Sequence, residues 1–264
     1  MHIDTAFVIG DSHLVCEDYT TSYQKDDKCS IILCDGCSSS EMVDVGARLL
    51  ALTARNVLSY SRSFSYHQNI LMSLKSLPSL DIFKDLPQTM FDATLLIAHI
   101  FKDGCTLSAY GDGVIALKKK NNPDIAIIDI SYPSGYPRYL SYKLNPFRED
   151  TFIITTQPCM HIIRTNPNIL KKEQVQTFSS DEYFEEYYPI NDIEWIALMS
   201  DGVHSFQDEN KKEIDYTTIV KTLTDFKTTA GDFVKRRLNR FTKECKKLQW
   251  THYDDVSLAA IYFD

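Results

Sequence analysis

The chain has 264 residues, 44% hydrophobic and 24% charged, which suits a soluble fold with a substantial core. A net charge of −8 argues against nucleic acid as a partner, because phosphate backbones call for a basic face. No apolar run approaches the ~20 residues of a membrane span, Met1-His2-Ile3-Asp4 opens no secretory leader, and seven scattered cysteines read as reduced thiols of a cytoplasmic protein.

Residues 3–10 and 30–34 read as strands, with the polar stretch Tyr23 to Lys28 as a hairpin connection. A helix follows from about Ser40, capped by Ser39 or Ser40. Val43, Gly46, Ala47, Leu50, Ala54 and Val57 recur in it at helical spacing. A second helix is predicted over 66–76, with Ile70, Leu71 and Leu74 inward and Pro78 ending it. Ala93 to Phe101, Thr106 to Tyr110, Val114 to Leu117 and Ile125 to Ile130 read as strands joined by short turns, an antiparallel meander. Residues 131–192, rich in Pro, Tyr and Asn, read as an irregular surface insertion. Thr151 to Thr156 is a strand within it, and Tyr183 to Tyr188, with Glu182, Glu185 and Glu186, a surface loop. Two helices fill 216–248 and a last strand runs from 255 to 263. No repeat or linker divides the chain, so residues 1–264 read as a single α+β domain.

Acidic residues cluster at the ends of these runs: Glu17-Asp18, Asp35-Gly36, Asp201-Gly202 and Asp254-Asp255. Singly, Asp-Gly after a strand is more often a turn. Together, carboxylates held at rigid strand ends can converge, and converging carboxylates repel unless a hard cation such as Mg²⁺ or Mn²⁺ joins them. A metal-dependent hydrolase is the first reading. Cys34-x-x-Cys37 has no second pair of zinc-site spacing, and no Walker or dinucleotide glycine pattern points to a kinase or dehydrogenase. Lys235-Arg236-Arg237 and Lys246-Lys247 read as the solvated face of a helix.

The order Glu17-Asp18, Asp35-Gly36, Gly111-Asp112-Gly113, Ser200-Asp201-Gly202 and Asp254-Asp255-Val256-Ser257 resembles the metal-dependent protein phosphatases, the type-2C serine/threonine enzymes and their bacterial relatives. Asp92-Ala93-Thr94-Leu95-Leu96 is similar to that family's strand before the central Gly-Asp, and Ser12-His13 before the acidic pair looks like a bacterial branch. The resemblance implies a four-layer αββα sandwich, two antiparallel sheets flanked by helices, with a two-metal centre (Mg²⁺ or Mn²⁺) at one edge. It implies that Asp35 bridges the metals and Gly36 offers its carbonyl. Asp201 and Asp254 would hold the first metal and Glu17 the second. Asp18 would orient the attacking water, Asp255 would support Asp254 or replace it as ligand, and Asp112 would serve a third metal. His13, where animal members carry a phosphate-binding Arg, is the expected phosphate contact. Two positions depart from the pattern: Cys37 replaces the histidine proposed as leaving-group acid, and Ser205 replaces an acid that helps hold a third metal. The implied function is hydrolysis of phosphoserine and phosphothreonine in a phosphorylated protein, by a monomer. The alternatives are a catalytically inactive regulatory or binding module and a phosphatase of small phosphate esters.

Overall fold

Continuous apolar runs such as Ile31-Ile32-Leu33-Cys34 suit strands covered on both faces, and the chain uses them that way. The computed structural model describes residues 1–61, 66–81, 84–156, 159–166, 176–178 and 183–264. In chain order, β1 (His2–Val8), β2 (Tyr19–Lys25) and β3 (Lys28–Cys34) precede α1 (Val43–Tyr60) and α2 (Tyr66–Ser76). Four strands follow: β4 (Leu95–Phe101), β5 (Gly104–Tyr110), β6 (Gly113–Lys119) and β7 (Ile125–Ser131). Next come α3 (Pro146–Thr156), β8 (Met160–Thr165), β9 (Gln176–Phe178), β10 (Phe184–Pro189) and β11 (Ile193–Met199). The chain closes with β12 (Phe206–Gln207), α4 (Tyr216–Leu223), α5 (Phe233–Leu248), β13 (Thr251–His252) and β14 (Val256–Tyr262).

One sheet has the order β1-β14-β11-β6-β7-β8-β9, the other β10-β5-β4-β3-β2, and every pairing in both is antiparallel. Alternation along each strand sorts its residues into two layers. Ile31 and Leu33 meet Leu96, Leu107, Ile115, Leu198 and Ile261 between the sheets. Ile32 and Cys34 point the other way, against Ala47, Leu50 and Ala54 of α1 and Ile70 of α2. On the far side, Ala197, Met199, Leu258 and Ala260 pack against Ile219 and Leu223 of α4 and Val234, Leu238 and Phe241 of α5. This is the expected αββα sandwich. Among the described residues, no helix is long and apolar enough to cross a membrane.

Several local expectations change. Tyr23 opens no hairpin connection: β2 pairs with β3 from Tyr19↔Cys34 to Lys25↔Lys28, so the turn is only Asp26-Asp27. β1 belongs to the other sheet, paired with β14. Helix α1 begins at Val43 after Met42 in the left-handed region, with no side-chain cap; Ser40 Oγ instead donates to Asp92 Oδ2 at 3.1 Å. Thr151 to Thr156 is helical, the end of α3. The supposed insertion carries α3 and β8 to β10, and Tyr183 to Tyr188 is mostly edge strand β10, paired with β5. Glu182 and parts of 131–192 lie outside the described residues.

Candidate active site

In antiparallel sheets, strand starts and ends alternate along one edge, so acids before some strands and after others gather on the same side. Asp18 precedes β2 and Asp35 follows β3, Asp112 sits in the turn from β5 to β6, Asp201 follows β11, and Asp254-Asp255 precedes β14. The registers Tyr19↔Cys34, Leu95↔Tyr110, Met199↔Val114 and Met199↔Leu258 put all of these at one edge of the sandwich. Asp112 stands where the chain passes from one sheet to the other, and its flanking glycines adopt φ of +83° and +134°, conformations other residues rarely tolerate.

Main-chain and side-chain contacts fix several of these acids. The Asp35 amide donates to Thr94 Oγ1 at 3.1 Å, its carbonyl accepts from Thr94 N at 2.8 Å, and Cys37 N donates to the Asp92 carbonyl at 2.8 Å. Gly36 bridges Ala93 and donates to the Glu17 carbonyl at 3.3 Å, joining the first two motifs. Ser38 Oγ donates to Glu17 Oε2 at 2.5 Å. Gly202 lets the last two motifs touch, since a Cβ there would lie 1.8 Å from the Asp255 carbonyl oxygen. Asp255 is buried, and its two carboxylate oxygens accept from Gly10 N at 2.7 Å and Glu17 N at 2.6 Å. Asp254 is more open, with Oδ1 accepting from Asp255 N at 2.8 Å. His13 turns both ring nitrogens toward the acids, Nδ1 at 3.1 Å from Asp255 Oδ2 and Nε2 at 3.7 Å from Asp254 Oδ1.

The acids disturb one another. Asp18 is 1% exposed; the Ser200 and Ser257 hydroxyls lie near its carboxylate, but neither oxygen has a full hydrogen bond among the described residues. Burial pushes its pKa up to about 7, the charges of Asp255 and Asp201 adding to the shift and the hydroxyls of Ser257 and Ser200 opposing it. Burial, then the charges of Asp18, Asp201 and Asp254, hold Asp35 well above the carboxylate range. Asp112 rises to about 8 through burial and the charges of Asp201 and Asp129, and Asp254 to about 6 through burial and Asp201. A cavity of about 370 Å³, lined by Asp112, Asp129, Asp201, His204, Tyr253 and Asp254 among others, opens at this edge.

A cation would relieve this repulsion, and the orphaned buried oxygens of Asp18 fit a centre whose waters complete their bonding. Among the described residues, no group of three or more His, Cys, Asp or Glu side chains is gathered to hold an ion alone. A hard cation such as Mg²⁺ keeps several waters, so waters would have to complete the coordination that these carboxylates leave open.

A sequence model of the family described as protein phosphatase 2C matches residues 9–243, most of the chain. The chain belongs to the protein phosphatase 2C family. No curated protein matches it in sequence. Among solved structures it is similar to the serine/threonine phosphatase Stp1 from Staphylococcus aureus (13% identity, TM-score 0.57, covering 100% of this chain and 96% of that one). It is also similar to serine-threonine phosphatase 2C from Toxoplasma gondii (12%, 0.56, 100% and 95%). At such identities these likenesses concern the fold, and the fold is that of this family.

Three residues of this protein phosphatase 2C site escape a sequence reading of their roles. Asp129 is 5% exposed inside the apolar strand β7, and His204 Nε2 lies 3.3 Å from its Oδ1. Burial would lower the His204 pKa, but the hydrogen bond and charge of Asp129 outweigh it and raise it. The available signal was a lone acid in an otherwise apolar strand, which must find a partner. Asp92 is the third. It is 3% exposed and accepts from Ser141 Oγ at 2.6 Å, from Ser40 Oγ and from the Arg148 guanidinium, tying α3 and the 140–144 turn to the Asp35 loop.

Proposed function

We propose that this phosphatase hydrolyses phosphoserine and phosphothreonine in proteins, as a cytoplasmic monomer with Mg²⁺ or Mn²⁺ as cofactor. Two bound cations would supply a water of lowered pKa and neutralise the charge that repels it from phosphate. Asp35 would be shared by both, with the Gly36 carbonyl offered beside it; Asp201 and Asp254 would hold the first and Glu17 the second through water, with Asp112 available to a third. Asp18 would accept a hydrogen from the attacking water and so orient it, since only the Ser200 and Ser257 hydroxyls act on its carboxylate and neither makes a full hydrogen bond to it. Asp255 holds Gly10 and Glu17 by their amides and acts as a positioning residue. His13 supports Asp254 and Asp255 and contacts phosphate through Nε2, its less closely held nitrogen.

The observation that carries this reading is Asp18: a buried carboxylate beside other acids, with no full hydrogen bond among the described residues, costs stability and gives a structural module nothing in return. Asp35→Asn and Asp201→Asn test it. Each should lower turnover of a phosphothreonine peptide at least 100-fold with Mn²⁺ present, while circular dichroism stays native, since loss of a group holding reacting charge commonly costs 10²–10³. Unchanged turnover in either variant would sink the assignment.

A further inference from the structure

Helix α5 is not simply a solvated basic face. Arg237 is 6% exposed; one terminal nitrogen pairs with Glu244, while its Nε is buried with no hydrogen-bond partner among the described residues. A buried donor left unpaired costs about 1–3 kcal/mol, and a bound acceptor would remove that cost. Arg237 lines a cavity of about 180 Å³ with Lys227, Arg236, Arg240, Asp225 and Phe226. Arg236 steadies one wall, donating to Thr228 Oγ1 at 3.1 Å and the Ala230 carbonyl at 2.6 Å. Lys227 pairs with Asp225 at 2.7 Å, and the exposed Arg240 has no ion pair among the described residues. Four cationic side chains thus meet two carboxylates, Asp225 and Glu244, in a chain of net charge −8.

A neighbouring cavity of about 490 Å³ shares Asp225, Phe226, Lys227 and Thr228 and adds the edges of Trp195 and Tyr262 with Lys118 and Lys221. Trp195 and Phe226 meet edge to face at 6.3 Å. Both cavities lie away from the catalytic edge: the β11 strand rising from Trp195 to Asp201 covers about 20 Å at strand spacing.

We propose that the paired cavities form a second ligand site, for a phosphorylated small molecule. Its phosphoryl group sits among Arg236, Arg237 and Arg240, whose planar forks match phosphate oxygens, and its ring or apolar part lies against Phe226 and Trp195. No bond is made or broken there.

Calorimetric titration of the full chain in Mn²⁺ with pyrophosphate and with ADP tests this. At least one probe should bind saturably at one equivalent. Arg240→Glu and Lys227→Glu, both at exposed positions, should each weaken that binding at least tenfold with phosphopeptide turnover unchanged. Asp201→Asn, at the catalytic edge, should leave it intact. Failure of both probes to saturate, binding indifferent to Arg240→Glu, or binding abolished by Asp201→Asn would overturn the proposal.

Discussion

Asp254 and Asp255 are neighbours of identical chemistry, and the chain alone does not divide their labour. The division comes from tertiary hydrogen bonds. Asp255 is consumed by the amides of Gly10 and Glu17, whereas Asp254 keeps an oxygen toward the cavity. Both amides come from the segment between β1 and β2, far away in sequence, so no local pattern announces the clamp. Asp255→Ala should therefore unfold in urea with about 2–4 kcal/mol less stability, one buried and one half-buried amide losing a charged acceptor. That loss should be the same with EDTA or Mn²⁺ if Asp255 positions rather than ligates; a loss seen only with Mn²⁺ would make it a ligand.

Elements with a clear apolar run were legible; polar β2 and the strand-like sequence at the end of α3 were not. Strand β2, Tyr-Thr-Thr-Ser-Tyr-Gln-Lys, has no apolar alternation and earns its place by pairing with β3 and lying under α1. The Thr-Phe-Ile-Ile-Thr-Thr segment favours a strand by propensity. Its helix is set by Pro146 at the first turn, by Asn145 Oδ1 accepting from Phe147 N at 3.1 Å, and by Phe152 packing on Tyr142 at 4.2 Å. Helix α3 is anchored by the Arg148–Asp92 pair, with Arg148 also over the Tyr142 ring at 4.7 Å. Breaking a buried pair costs 3–5 kcal/mol, and Arg148 is a quarter exposed, so Arg148→Met should lose about 3 kcal/mol in urea unfolding. Limited proteolysis should also cut the 132–156 region sooner than in the parent protein. Equal stability and an unchanged digestion pattern would show that the pair anchors nothing.

Across the whole molecule, apolar runs made the strands and the gathering of acids at their ends readable, while the sandwich itself came from the family resemblance of the acidic motifs. The roles of Asp129, His204 and Asp92 were not readable, since their partners come from remote elements. The acidic edge makes the metal-free fold less stable than its core alone would allow. Asp18 carries a folded-state pKa of about 7 against an ordinary value of 3.8. A raised carboxylate binds more protons folded than unfolded, so stability is fullest below the unfolded pKa and falls as pH rises through about 7. In EDTA, Asp18→Asn should therefore be more stable than the parent protein at pH 7.5, a gain that fades toward pH 4. A variant less stable at pH 7.5 would mean that the Asp18 charge is already compensated within the protein.

The central claim is that this edge does its chemistry only when cations offset its charge. Its most direct test is the rate at which the chain releases phosphate from a phosphothreonine peptide in EDTA and after Mn²⁺ is returned. No release above background is expected in EDTA, and full recovery with Mn²⁺. Turnover that persists in EDTA, or none with Mn²⁺ shown by calorimetry to be bound, would contradict it.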